Sequence, residues 1–173
     1  DAPLAGVPLA ARRPPSQILP KDYENEPFSY VRMVQPILDK HCVRCHGGPE
    51  PQGNLDLTGG PLNGYTTSYW ALCGDKDFAG PNTNPKTAAA ALVPRFGMRN
   101  QVQVTPPGGL YGARGSRLIA LLRKGHEEVS LDAEEFRRLA QWIDCNAIFY
   151  GAYLPEEQER LLRGERLPMP ALQ

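Results

Sequence analysis

Cys42, Cys45 and His46, within the run DKHCVRCHGG at 39–48, are the residues in this chain best equipped for chemistry. A Cys-x-x-Cys-His run admits three uses. Two thiols one helical turn apart can add to the two vinyl groups of a single haem, which leaves the adjacent His under the iron as an axial ligand. The same thiols can be half of a zinc site, which asks for four ligands, usually as two such pairs. They can also form a redox-active dithiol, which sits at the end of a strand in an α/β chain. The remaining candidates, Cys73, Cys145, His41 and His126, make no second closely spaced pair, and no strand pattern precedes Cys42. Order and spacing therefore favour haem attachment, with Cys42 and Cys45 as thioether anchors and His46 as proximal ligand.

A low-spin electron carrier needs a second strong ligand on the other haem face. His126 closes the LIALLRKG run among Lys124, Gly125, Glu127 and Glu128, a poor setting for an ordinary core residue. Met98, in RFGMRN, could supply a thioether and raise the potential; otherwise it is core filling. An open or exchangeable sixth position is the third option. His41 lies too near His46 in sequence to reach the opposite face and reads as a solvated helix residue, while Met33 and Met169 are outsiders. Tyr65, Tyr69 and Trp70, with Arg95, Arg99 or Arg114, are candidates to pack on the ring or meet its propionates. Ordinary loop packing and solvated charge account for them equally well.

The elements that must position these groups are few. The 173 residues suit one domain. Lys plus Arg equals Asp plus Glu at 19 each, so the charge points to neither nucleic acid nor an anionic membrane. No apolar run is long enough to span a bilayer, and any signal peptide is expected to have been removed. Gly (17) and Pro (18) make about a fifth of the chain, above the usual share of about 12%. Long ordered loops between few helices follow, and a bulky apolar prosthetic group would compensate for the thin core.

Residues 1–27 carry six prolines and read as an extended arm or linker. The domain is expected over 28–153, and a short helix and tail over 154–173. Pro36 suits the first turn of a helix with Ile37 and Leu38 facing inward. Residues 47–115 are rich in turn signals rather than strand signals, with short helical turns at 68–73 and 87–93. Ser116 caps a helix striped with Leu118, Ile119, Leu121 and Leu122. A second helix starts at Ser130, with Asp132, Glu134 and Glu135 in its first turn and Phe136, Leu139, Ala140 and Ile143 on one face. A last helix follows Pro155 and stops near Gly164. Covalent haem attachment of this kind occurs outside the cytoplasm, where spare thiols pair. A Cys73–Cys145 disulfide is expected to fasten the loop to the core, the alternative being two buried free thiols. In the chain-entropy model, closing a loop of about 70 residues is worth several kcal/mol.

The stretch VQPILDKHCVRCHGG followed by GNLDLTGG resembles the opening of planctomycete-type cytochrome c domains. GHEEVSLDAEEFRRLAQWIDCNAIFYGAY resembles the end of the C-terminal haem domain of hydrazine synthase α subunits and related multidomain proteins. The likeness covers roughly residues 28–153, with specific motifs at the two ends. It implies a haem held by two histidines, here His46 and His126. It also implies structural roles for Trp142, against haem or core, and for Asp144 and Asn146, which would tie loops to their helix. Cys145 stands where an apolar residue is expected, so a disulfide would be a local feature. Hydrazine chemistry is not implied, because only one Cys-x-x-Cys-His run is present.

The expectation is therefore a mainly α, loop-rich cytochrome c-like domain with three to five helices wrapped around one covalently bound haem c. It would transfer electrons rather than act as an enzyme, in the periplasm or an equivalent compartment. Its partner would be a redox protein or neighbouring domains of a larger chain. A gas-sensing or small-ligand-binding haem module is the alternative, a peroxidase-like enzyme is third and a zinc module last.

Overall fold

Ser29 opens regular structure, its hydroxyl accepting from the Arg32 N–H to cap α1 (Tyr30–Met33). Val34 separates α1 from α2 (Gln35–His41), which carries Pro36 in its first turn, as expected. Ile37 and Leu38 are buried, so α2 is anchored on its inward face and delivers its C-terminal end, Cys42, to one side of the core. The computed structural model describes residues 12, 14, 26–74, 91–95, 109 and 111–168. Met98, Arg99, Met169, the 87–90 part of one expected turn and most of the proline-rich arm lie outside those residues.

The turn-rich stretch after the motif holds a small hairpin that the sequence reading did not anticipate. Strands β1 (Pro61–Leu62) and β2 (Tyr65–Thr66) pair antiparallel around Asn63 and Gly64, whose φ values of 47° and 79° are both left-handed. Asn-Gly is a strong signal for such a turn. Two-residue strands, however, carry no alternation for a pattern to reveal. Thr66 then caps α3 (Thr67–Cys73), the helix expected at 68–73. Residues 91–93 are bent rather than helical, and they stitch two helices together. Val93 N–H donates to Leu72 O at 2.9 Å, and Leu118 N–H donates to Leu92 O at 3.1 Å.

A single turn, α4 (Gly112–Gly115), leads to α5 (Arg117–Lys124), capped by Ser116 as expected. Helix α6 (Ala133–Asp144) begins later than the reading from Ser130. Asp132 is its cap, accepting from the Glu134 and Glu135 N–H groups, while the Glu135 side chain accepts from the Asp132 N–H. Asp144 Oδ1 accepts from Ala113 N–H at 2.7 Å, so it does tie a loop to its helix. Helix α7 (Pro155–Leu162) follows, with Pro155 in its first turn. The described residues thus hold seven α segments rather than three to five, two of them single turns of four residues each. The architecture is mainly α and loop-rich.

Much of the core is aromatic. Tyr30 sits 5.1 Å from Tyr69, 5.1 Å from Phe149 and 5.3 Å from Trp142, measured between ring centroids. Its hydroxyl donates to Ser68 Oγ at 3.1 Å, and the Tyr69 hydroxyl donates to Ala147 O at 2.7 Å, so these buried rings leave their oxygens satisfied. The two ends of the domain meet beside them. Gly151 N–H donates to Phe28 O at 2.7 Å, and a Cβ on Gly151 would fall 2.3 Å from the Phe28 nitrogen, so this exit requires glycine. The tail expected after 154 is docked as far as it is described. Leu161 and Leu167 are buried, and the nearly covered Glu26 carboxylate meets Arg32 at 3.3 Å and Arg166 at 3.1 Å. Among the described residues no helix is long and apolar enough to cross a membrane.

Candidate functional site

Helix α2 does not stop cleanly at Cys42; its hydrogen bonding continues as one irregular turn through the motif. Cys42 N–H donates to Leu38 O at 2.7 Å, and His46 N–H donates to Cys42 O at 2.9 Å. This last bond is helical in spacing, so Cys42 and His46 share one face. The His46 ring is oriented by a backbone carbonyl, Nδ1 lying 3.0 Å from Gln52 O. A carbonyl only accepts, so Nδ1 carries the proton and Nε2 is left with a free lone pair. Gln52 was not legible beforehand, because any residue can offer a main-chain oxygen.

His126 arrives from the other side of the molecule. Helix α5 ends at Gly125, whose φ of 93° turns the chain sharply. Glu127 follows with a φ of 47°, a left-handed conformation that costs a residue with a Cβ about 1 kcal/mol or more. Between these two turns the His126 ring lies beside that of His46, with centroids 5.9 Å apart and planes 18° from parallel. Both rings line a cavity of about 280 Å³ that opens to solvent. Cys42 and Cys45 stand at its edge, and its walls are aliphatic. Leu55 and Leu57 come from the segment after the motif, Leu118, Leu121 and Leu122 from α5, and Leu72, Leu92 and Val129 fill the remainder. Arg44 reaches Glu128 across the rim at 3.8 Å, both groups being largely exposed.

Among the described residues, the aromatic and arginine side chains weighed as packing on the ring or meeting its propionates are engaged elsewhere or exposed. Tyr69 is in the aromatic core. Trp70 packs edge-on to Tyr65 and donates from Nε1 to Leu62 O at 2.9 Å, so it braces the hairpin. Trp142 donates from Nε1 to Ile148 O at 3.0 Å and lines a second, more open cleft with Met33, Arg138 and Cys145. None of the three lines the cavity between the histidines. Large aromatics in a wrapping loop suit a prosthetic group by composition, but here their burial against one another was the stronger demand. Arg95 donates from Nε to Asn146 O at 2.9 Å and lies over the Tyr69 ring, and Arg114 is exposed. His41, expected as a solvated helix residue, is not solvated. Its Nε2 lies 2.9 Å from Glu135 Oε2 and its side chain is 13% exposed, so it belongs to the cavity wall.

The expected Cys73–Cys145 disulfide is not formed. Cys73 is fully buried within the core cluster, whereas Cys145 is exposed at the end of α6, and both are free. Burial pushes the Cys73 thiol well above its ordinary range, with Arg95 opposing. Burial also raises the Cys42 thiol to about 11, helped by the neighbouring Cys45. Among the described residues no three His, Cys, Asp or Glu side chains converge closely enough to share a metal ion.

No protein-family model, curated protein or solved structure matched this chain. The site is therefore read from its own chemistry: two neighbouring imidazoles with nearly parallel planes, two thiols beside one of them, and an aliphatic cleft around the set.

Glu135 holds the two halves of this frame together. It takes Lys40 Nζ at 2.6 Å and His41 Nε2 at 2.9 Å from the end of α2 while closing the capping box of α6. Burial alone would raise its pKa, but Lys40, the Asp132 N–H and His41 outweigh burial and hold it below the ordinary 4.5. A carboxylate depressed in the folded state adds stability above its unfolded pKa, and that stability is lost as the pH falls through the folded value. Glu135→Gln is expected to lower the melting temperature at neutral pH and to flatten its decline below about pH 5. Parallel melting curves for the two proteins from neutral pH into acid would rule out this role.

Proposed function

We propose that the chain is a single-haem c-type cytochrome domain, held by Cys42, Cys45 and His46, with His126 as the second axial ligand, and that it transfers electrons. The observation that carries this reading is that the two imidazoles, 5.9 Å apart, and the two cysteines line one largely aliphatic cleft. An imidazole nitrogen lies about 1.1 Å from its ring centre and binds a first-row metal at about 2.0–2.1 Å, so rings on opposite sides of one metal have centres about 6.2–6.4 Å apart. The 5.9 Å found here is within a few tenths of an ångström. That spacing alone also suits two stacked rings. Cys42 on the same face as His46, Cys45 beside it and the leucines lining the cleft favour a flat apolar group there.

The donor set suits such a group better than its rivals. A redox dithiol depends on a lowered thiol pKa, whereas burial raises that of Cys42. Zinc wants four converging ligands. When bound, the haem would supply one-electron exchange at its iron. The chain's own residues do the rest. The Gln52 carbonyl keeps His46 in the tautomer that leaves Nε2 free, which also strengthens it as a donor. The leucines exclude water and so favour the less charged, reduced state. The open mouth beside Arg44 and Glu128 leaves an edge for electron exchange with a partner protein or a neighbouring domain. An extracytoplasmic location follows from the attachment chemistry, and the resemblance to planctomycete-type cytochrome c domains implies the same two histidines.

The test is expression in a host with c-type haem attachment machinery. The wild-type protein is expected to keep its haem after denaturation and acid–acetone extraction, with a pyridine haemochrome spectrum of two thioethers. Cys42→Ala with Cys45→Ala should release all of it. A colourless wild-type protein from such a host, folded and with alkylatable Cys42 and Cys45, would sink the reading.

A further inference from the structure

We infer that the position opposite His46 is exchangeable: His126 gives way to a neutral diatomic ligand, carbon monoxide or nitric oxide, while His46 stays in place. This rests on the haem reading above, and it comes from an asymmetry between the two rings.

His46 is held at three points. Its N–H donates to Cys42 O at 2.9 Å, its carbonyl accepts from Leu57 N–H at 2.7 Å, and its ring is tied to Gln52 O at 3.0 Å. Behind it, Gly47 packs so closely that a Cβ would lie 2.7 Å from the Val43 oxygen, so the motif has no room to shift. His126 has no such ring tether, since no hydrogen bond to its imidazole is made among the described residues. Its backbone anchor there is its carbonyl, accepting from Val129 N–H at 3.1 Å. It stands between two left-handed residues, Gly125 and Glu127, in a segment whose Lys124, Gly125, Glu127 and Glu128 are exposed. The Arg44–Glu128 pair reaching from this loop to the motif spans 3.8 Å between groups 69% and 88% exposed, too wet to act as a latch.

A ligating histidine that loses its second hydrogen bond typically loses about 10- to 100-fold in metal affinity. His126 is therefore the ligand that leaves first. In the exchange its Nε2 departs as neutral imidazole and the diatomic takes the vacated bond, with no proton or electron transferred. The wall beside it sets the ligand class. Leu118, Leu121, Leu122 and Val129 offer no donor, and Glu127 is an acceptor. On the motif side, His41 is engaged by Glu135, while Arg44 and Gln52 stand in the more exposed part of the lining. The aliphatic wall beside His126 favours an uncharged diatomic over a charged ligand.

Mixing the ferrous holoprotein with carbon monoxide in a stopped-flow instrument tests this. The wild-type protein is expected to convert fully, at a rate that levels off with rising carbon monoxide because His126 must leave first. His126→Ala should bind at least tenfold faster, at a rate linear in concentration. If that variant does not accumulate, the wild-type curve decides alone. A wild-type spectrum unchanged by saturating carbon monoxide overturns the exchange while leaving the two-histidine reading intact. A five-coordinate nitrosyl adduct, with His46 lost, overturns it too. Absence of haem from the wild-type protein removes the reading beneath it.

Discussion

Exchanging His126 for Met is expected to raise the midpoint potential of the holoprotein by on the order of 100–200 mV. A thioether donates less electron density than an imidazole and so stabilises the oxidised iron less. Met is unbranched and flexible, and the neighbours that must receive it, Leu118, Leu121, Leu122 and Val129, are aliphatic. The exchange should therefore move the potential more than it disturbs the fold. A redox titration followed in the visible spectrum reads the shift, and the weak sulfur-to-iron band in the far red should appear only in the variant. The companion substitution Met98→Ala should leave both unchanged. If the wild-type protein already shows the sulfur band, and Met98→Ala abolishes it, then His126 is not the ligand.

The elements most legible in the sequence were those with both a cap and a stripe. Ser116 with Leu118 and Ile119, Pro36 with Ile37 and Leu38, and Pro155 ahead of α7 each combine a local terminus signal with burial, and each is where it was expected. Near Ser130 two cap residues compete, and Asp132 wins because Glu135 stands three residues later to complete the box. The pairing of His46 and His126 was legible as chemistry but not as geometry. Nothing local brings the two together; Gly125 turns the chain, and the Leu92 backbone joins α5 to α3 through Leu118 N–H and Val93 N–H. The aromatic residues misled for a related reason. Tyr69 and Trp142 read equally well as ring packing for a cofactor or as core, and only tertiary contacts distinguish the two. Cys73 and Cys145 count as a pair in the sequence, yet one is inside the core and the other on its surface.

The chain prepared without haem is expected to melt about 10–40 °C below the holoprotein. A haem seated between α5 and the motif would cover roughly 200–400 Å² of apolar surface, which is worth about 5–10 kcal/mol at about 25 cal/mol per Å². For a protein of this length each kcal/mol moves the midpoint by about 2–4 °C. The loss should also be uneven. Leu55, Leu121 and Leu122 are only half-buried, so the cleft side depends on an occupant. Tyr30, Tyr69, Trp142 and Phe149 pack on one another, and the Tyr30 and Tyr69 hydroxyls are satisfied without it. Near-ultraviolet circular dichroism from those rings should therefore survive in the haem-free chain at low temperature. Hydrogen exchange over Arg117–Lys124 and the following loop should accelerate instead. Equal melting temperatures with and without haem would mean that the cleft between His46 and His126 is not where the group sits. Loss of the aromatic signal would mean that the two sides of the core fold as one unit.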